Sequence, residues 1–300
     1  MKTNAKTGGH IYALITIIIW GTTFISTKVL LTDFTPIEIL FYRFCIGYAA
    51  LWIVCPHRLK GTSAKQELLM AAAGLSGVTL YYLLENMALT YTSASNVGVI
   101  ISAAPFFTAL LAGHFLEGER PGFSFLIGFI FALLGISLIS FNGSANLSFN
   151  PFGDFLALLA AAFWAVYSVL SRKISQFGLP TIQTTRRVFS YGLIFMMMML
   201  YPLDFKWGLV RFTRPVLAGN ILFLGFGASA LCFVTWNLAV KSLGAVKTSI
   251  YIYMVPVITI VTSVLILGET ITWMSALGTG LTLAGLFLSE RERFVSDKIS

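Results

Sequence analysis

The chain has 300 residues, 57% of them hydrophobic and 11% charged, with a mean hydropathy of +0.85. Soluble domains carry about 25% charged residues, so a water-soluble globular fold is excluded. The net charge of +8 would suggest nucleic acid in a soluble protein, but here Lys and Arg lie between apolar runs, where they act as topology determinants rather than as a nucleic-acid surface.

Predominantly apolar runs of about 20 residues, the length that crosses a bilayer as helix, fill the sequence. Barrel strands would alternate polar and apolar residues, and the run 11–20 does not. Lipid leaves helices as the remaining way to satisfy the backbone. The sequence therefore predicts an all-α membrane protein.

In chain order, Lys2 and Lys6 precede an apolar run from Ile11 that no small-residue cleavage site closes. It is read as a retained first span, at about 11–31. The second, at about 37–54, follows Pro36, a residue suited to a first helical turn. Three more are expected near 67–88, 96–115 and 123–141. A turn-rich linker, 142–151, follows. Spans six to ten fall near 152–171, 181–201, 216–239, 246–267 and 271–289, ahead of a charged tail at 291–300 expected to fray at the cytoplasmic side.

The halves are copies. Trp20, Lys28, Pro36 and Arg43 recur as Trp164, Arg172, Pro180 and Arg187, each 144 positions later. Gly9, Ala13 and Leu14 keep the same offset to Gly153, Ala157 and Leu158. Further on, Leu80, Asn86, Ala88, Ala94, Pro105 and Thr108 echo in Leu231, Asn237, Ala239, Ala245, Pro256 and Thr259, 151 apart. After one residue is dropped, Gly118-Glu119, Gly128 and Gly135 echo in Gly268-Glu269, Gly278 and Gly285. The repeats are placed at 9–141 and 152–290. Five spans per copy, an odd number, force the second copy into the membrane upside down, so ten transmembrane helices form two inverted five-helix repeats, an arrangement used by secondary transporters.

Loop charge sets the orientation. With both termini cytoplasmic, the inner segments hold Lys2, Lys6, Arg58, Lys60, Lys65, Arg120, Arg172, Lys173, Lys241, Arg291, Arg293 and Lys298, against Lys28, Lys206, Arg211 and Arg214 outside. The loop 202–215 dissents.

No phosphate-binding loop is present, so ATP does not drive the chain directly. Cys45, Cys55 and Cys232 lack metal-type spacing and His10, His57 and His114 are dispersed. No metal, cofactor or catalytic residue is expected. Charges inside spans are costly and face a cavity or a partner. Arg43 and Arg187 are candidate gate or charge-pairing residues because both copies keep them, with headgroup snorkelling as the alternative. Arg186 reads as a lipid-facing anchor near the inner surface. Glu85, beside Asn86 in an apolar helix, can accept a proton, bind a substrate amine or pair with Arg43; an interfacial residue seeing water is the plain alternative. Asn86 and Asn237 line a cavity or bond helix to helix. Trp20 and Trp164 lie mid-span and wall a cavity or simply pack. Tyr81, Tyr82, Tyr251 and Tyr253 are further candidates. Pro105 and Pro256 interrupt their helices at matched places. Gly113, Gly128 and Gly135 read as close helix contacts.

The W-G-x-x-F pattern of Trp20, Gly21 and Phe24, with Lys28, Pro36 and Arg43 after it, resembles EamA-type members of the drug/metabolite transporter superfamily. So do Ala94-Ser95-Asn96-Val97 leading to Pro105, and the Gly-Glu pairs ahead of spans five and ten. The resemblance covers nearly the whole chain. It implies ten spans in inverted five-plus-five topology, a cavity lined by spans 1, 3, 4, 6, 8 and 9, and export or exchange of small metabolites, often amino acids. Ala165 in place of Gly after the second Trp, and Thr270 where Arg120 stands in the first copy, depart from the pattern and imply unequal halves.

The expectation is a secondary transporter, not an enzyme, that exports or exchanges small organic metabolites, amino acids or relatives, by alternating access in a prokaryotic inner membrane. Its cavity residues are Trp20, Tyr81, Glu85, Asn86, Trp164, Asn237 and Tyr251. A multidrug or amphipathic-compound exporter and a lipid-carrier flippase are the rival readings. Proton coupling through Glu85 and facilitated diffusion both stay open, as do monomer and homodimer.

Overall fold

The computed structural model describes residues 2–92, 94–119, 121–141, 150–258, 261 and 272–296. Most of the linker 142–151, together with Arg120, Thr259, Gly268, Glu269 and Thr270, lies outside the described residues. Those described form helices and connecting turns, with no strand among them. In chain order the helices are α1 (Lys2–Leu30), α2 (Pro36–Val54), α3 (Ala64–Tyr91), α4 (Ala94–Ile101 and Ala104–Phe115) and α5 (Phe123–Phe141). The second set is α6 (Pro151–Ser175), α7 (Thr181–Leu200), α8 (Pro215–Leu243), α9 (Ala245–Ile258) and α10 (Trp273–Ser296). Among the described residues six helices are long and apolar enough to cross a membrane, and shorter apolar helices lie in α5, α9 and α10. Large apolar side chains such as Ile18, Ile53, Phe155 and Met198 face outward, as a lipid solvent allows. α10 continues to Ser296, into the charged tail.

Contacts between helix ends show the inversion. Gly9, near the start of α1, is pressed so close to the end of α8 that a Cβ would stand 2.8 Å from Leu243 and 2.9 Å from Ser242. Gly153, its counterpart in α6, stands against the end of α3, 2.9 Å from Tyr91 by the same measure. At the other end of the first helices, Lys28 Nζ donates to the carbonyls of Leu89 (2.8 Å) and Thr92 (3.5 Å), the last turn of α3. Arg172, the counterpart of Lys28, donates to Val240 (3.2 Å) and Lys241 (2.9 Å), the last turn of α8. A cation there satisfies carbonyls that the helix leaves open. The start of α1 thus lies with the ends of α6 and α8, and the start of α6 lies with the ends of α1 and α3. The two copies run in opposite directions. We call the two ends of the molecule the Tyr91 face and the Leu243 face.

Each repeat's third helix loosens at its middle. Gly74–Leu80 in α3 and Phe223–Leu231 in α8 wind as π-helix, and 151 positions separate Leu80 from Leu231. π-segments inside α-helices cluster at functional sites. Each packs against the neighbouring repeat's second helix: Gly225 on Ile46 of α2, and Gly192 of α7 on Val78. The prolines break the fourth helices as expected. A proline ring clashes with the carbonyl four residues back, which is Ile101 for Pro105 and Ile252 for Pro256. α4 is interrupted after Ile101, and α9 narrows to a 3-10 turn over Ile250–Tyr253.

α5 and α10 pack outside this core. A Cβ on Gly128, Gly135 or Gly285 would collide with backbone of the partner helix, so small residues let the two helices meet at the main chain. Gly113 makes no such contact, since only Pro121 approaches it, at 3.4 Å.

Candidate functional site

Trp20 and Trp164, equivalent residues of opposite repeats, meet at the centre with ring centroids 5.1 Å apart and planes at 82°. Edge-to-face contact is a favoured aromatic geometry. Trp236 packs against both, at 5.1 and 5.6 Å, and Phe233 against both at 6.2 Å. Trp20 Nε1 donates to the Ala228 carbonyl of the π-segment at 3.0 Å. The indole N–H groups of Trp164 and Trp236 are buried without a partner. These rings form a layer across the middle of the core.

One cavity lies on each side of that layer. Toward the Tyr91 face is a space of about 520 Å³, open solvent at its mouth included, walled by Trp20, Phe24, Tyr81, Tyr82 and Trp164, with Glu85 as its one acidic residue. Ile101 and Ile252, the residues at the two helix breaks, complete it, so the proline-induced bends sit on the cavity wall. No Arg, Lys or His lines it. Glu85 is 6% exposed, its Oε2 is buried without a hydrogen-bond partner, and the groups acting on its charge are Arg43 and Tyr81. Toward the Leu243 face is a second space of about 370 Å³, open solvent again included, between α6, α7 and α8. Its polar groups are neutral. Asn237 Oδ1 accepts from Tyr167 (2.9 Å) and Ser171 (2.6 Å), and its Nδ2 donates to Thr185 Oγ1 (3.0 Å).

Of the residues expected at the site, Trp20, Tyr81, Glu85 and Trp164 share the first cavity and Asn237 lines the second. Asn86 is absent from both linings. It turns to α2, donating to the Pro36 carbonyl at 3.4 Å. Tyr251 is buried on the 3-10 turn and its hydroxyl bonds His10 Nδ1. Phe24, Ser171 and Thr185 were not singled out as cavity residues. A hint was available for Ser171 and Thr185, which fall on the α6 and α7 faces that meet Asn237.

The arginines diverge. Arg43 is 2% exposed, donates through Nε to Ser229 Oγ at 3.0 Å, and lies 4.4 Å from the Tyr82 ring centroid. It makes no ion pair with Glu85. Arg187 is half-exposed and pairs with Glu67 at 3.5 Å. Neither lines a cavity. Arg186 is not a lipid-facing anchor. It is buried over the Trp52 ring and donates to the carbonyls of Cys55 and His57, closing the turn after α2. Tyr42, its counterpart, bonds the Trp207 carbonyl in the loop after α7 at 2.6 Å, so different side chains perform the same splice in each copy.

Two acidic clamps close the ends. On the Tyr91 face, buried Glu38 accepts from Arg211 (2.9 and 3.0 Å) and from the backbone N–H of Thr35 (2.8 Å) and Lys206 (3.0 Å). The hydrogen bond to Glu38 raises the Arg211 pKa above its ordinary value. Arg214 pairs with Asp33 at 2.6 Å. On the Leu243 face, Glu119 accepts from Arg172 (2.7 Å) and from the N–H groups of Ala245 (2.7 Å) and Val246 (3.1 Å) at the start of α9. Gly244, at φ +93°, makes room, since a Cβ there would stand 2.8 Å from the carboxylate.

The profile of the EamA-like transporter family matches residues 7–141 and again 151–291. A protein of Archaeoglobus fulgidus named an uncharacterized transporter is 30% identical over 95% of this chain and 98% of its own. A probable terminal-alkyne amino-acid exporter of Streptantibioticus cattleyicolor is 27% identical over 95% of both chains. A solved crystal structure, 19% identical, superposes with a TM-score of 0.75 over 98% of this chain and 99% of its own.

Proposed function

The chain belongs to the EamA-like transporter family, and from that premise we propose that it is a secondary transporter that exports or exchanges small organic metabolites, amino acids or their relatives, by alternating access. That the protein is a multi-pass membrane transporter follows from the family and the apolar helices; the substrate, the coupling and the orientation are our reading. The observation that carries it is the pair of cavities on opposite sides of the Trp20–Trp164 layer, one walled mainly by α1, α3 and α4 of the first copy and the other by α6, α7 and α8 of the second. Exchange between two such arrangements around a central site is how inverted repeats give access to alternate faces. The broken helices α4 and α9 and the π-segments of α3 and α8 supply the joints.

Both termini are assigned to the cytoplasm of a prokaryotic cell, which places the Leu243 face inside and the Tyr91 face outside. The basic residues of the loop 202–215 still count against this orientation; Arg211, Arg214 and Lys206 are each paired with a carboxylate, Glu38, Asp33 and Asp204, and so have a structural role there. The amino-acid class is favoured by the relative named as a probable amino-acid exporter. A multidrug exporter is the second reading. It calls for a cavity poor in fixed charge, and Arg43 does lie outside the lining while Glu85 lies within it.

Purified protein in liposomes, offered a metabolite panel with and without a pH gradient, tests this directly. Saturable uptake of at least one amino acid or amine is expected, with Glu85→Gln lowering it. If no compound is taken up above protein-free liposomes, the transporter reading of the cavities fails. If Glu85→Gln leaves both uptake and its pH response unchanged, Glu85 has no part in coupling.

A further inference from the structure

The first cavity has chemistry that divides amino-acid relatives into two classes. Its one charged group is Glu85, 94% buried, with Oε2 unpartnered among aromatic walls. Arg43 acts on this charge from outside the lining but forms no ion pair with it; a buried carboxylate without a direct ion pair is costly, and a bound ammonium offsets that cost through a charge-assisted hydrogen bond. The rings of Trp20, Trp164, Tyr81 and Tyr82 are placed around the same space. Their faces attract a cation and their bodies take up an apolar skeleton.

The wall itself offers no cation to an anion. The cavity lining contains no Arg, Lys or His. Arg43 stands outside the lining: its Nε donates to Ser229, its Nη2 is buried without a partner, and its guanidinium lies against the Tyr82 ring, which itself walls the cavity. The hydroxyls of Thr23 and Ser102 are spent on the carbonyls of Trp20 and Gly98. The buried, unpartnered N–H of Trp164 suits a neutral acceptor such as an amide carbonyl. A free carboxylate would instead enter a low-dielectric space with a like charge on its wall and no cation in its lining, a combination that is costly.

We propose that the Glu85 cavity selects apolar or aromatic monoamines and amino-acid amides, and discriminates against zwitterionic amino acids. The proposal rests on the transporter reading above and narrows its substrate class to the relatives that carry an ammonium without a carboxylate.

Three probes share one indole skeleton: tryptamine, tryptophanamide and tryptophan. Their binding to the purified full-length protein in detergent is measured by calorimetry. Tryptamine and tryptophanamide are expected to bind at least about tenfold more tightly than tryptophan, a conservative fraction of the burial cost of an unpaired carboxylate. Glu85→Gln should weaken tryptamine about tenfold or more and narrow its margin over tryptophan. The wild-type ranking stands whether or not that variant folds. Tryptophan binding as well as or better than tryptamine overturns the proposal, as does absence of binding by all three, or tryptamine affinity unchanged in a folded Glu85→Gln protein. Liposome uptake of other metabolites while the amines fail would sink the substrate class and leave the transporter reading standing. Absence of any uptake would sink that reading itself.

Discussion

The two cavities share the first and third helices of their repeats but differ in the rest of the wall, α4 closing the first and α7 the second, and they are equipped differently. Position for position, Glu85-Asn86 of α3 corresponds to Trp236-Asn237 of α8. In the first copy the helix presents a carboxylate to the cavity and sends its amide to the Pro36 backbone. In the second, an indole joins the central layer and the amide organises Tyr167, Ser171 and Thr185. The counterparts of those three partners are Thr23, Thr27 and Phe41, which cannot rebuild the same network around Asn86. Duplication preserved the frame, and substitution made one side ionisable and aromatic and the other neutral and hydroxyl-rich.

Three sets of variants test that contrast, from the largest expected effect to the smallest. Glu119→Ala removes the carboxylate from Arg172 and from two backbone N–H groups at once. Breaking one partner of a buried pair costs about 3–5 kcal/mol, so the melting temperature in detergent should fall further here than in the other variants. An unchanged melting temperature would show that the Leu243 face is not held by this clamp. The two asparagines come next. Asn237→Ala strands three hydrogen-bonded groups and should cost about 2–3 kcal/mol, whereas Asn86→Ala loses one long bond and should cost about 1 kcal/mol or less. Equal losses in chemical denaturation would erase the asymmetry. The smallest pair is Trp20→Phe and Trp164→Phe. The first gives up the bond to the Ala228 carbonyl, worth about 1 kcal/mol. The second deletes an N–H that has no partner and should be nearly neutral for stability, while weakening any ligand that accepts from it. A greater loss of stability for Trp164→Phe would contradict the hydrogen-bond assignment.

Much of the frame was legible because rare residues carried it. Trp, Lys or Arg, Pro and Arg at fixed offsets stand out in a chain rich in Leu, Ile and Phe, and each has a structural reason to be kept. The tryptophans meet at the centre, the basic residues cap the third helices, and the prolines stand at the starts of α2 and α7. Glu85 was legible for the same reason, as an isolated carboxylate in an apolar run. The fates of Arg43 and Arg187 were not. The same residue at the same offset predicts like roles, but Arg43 finds Ser229 opposite, and the position corresponding to Ser229 in the first copy is Val78. A valine accepts no hydrogen bond, so Arg187 reaches out to Glu67. Nor did the residues announce the π-segments, because Gly74–Leu80 and Phe223–Leu231 read as ordinary apolar helix and their winding is set by the packing of Gly192 on Val78 and Gly225 on Ile46.

The central claim is that the Trp20–Trp164 layer divides two cavities that open to opposite faces. Its most direct measurement is the sidedness of thiol labelling. With Cys45, Cys55 and Cys232 replaced by alanine, Thr23→Cys marks the Glu85 cavity and Thr181→Cys marks the Asn237 cavity. Oriented vesicles are exposed to a membrane-impermeant maleimide from one face at a time. The account predicts that Thr23→Cys reacts only from outside and Thr181→Cys only from inside, and that replacing both Trp20 and Trp164 with alanine relaxes this restriction. Reaction of both positions from the same face, with the tryptophans intact, would contradict it.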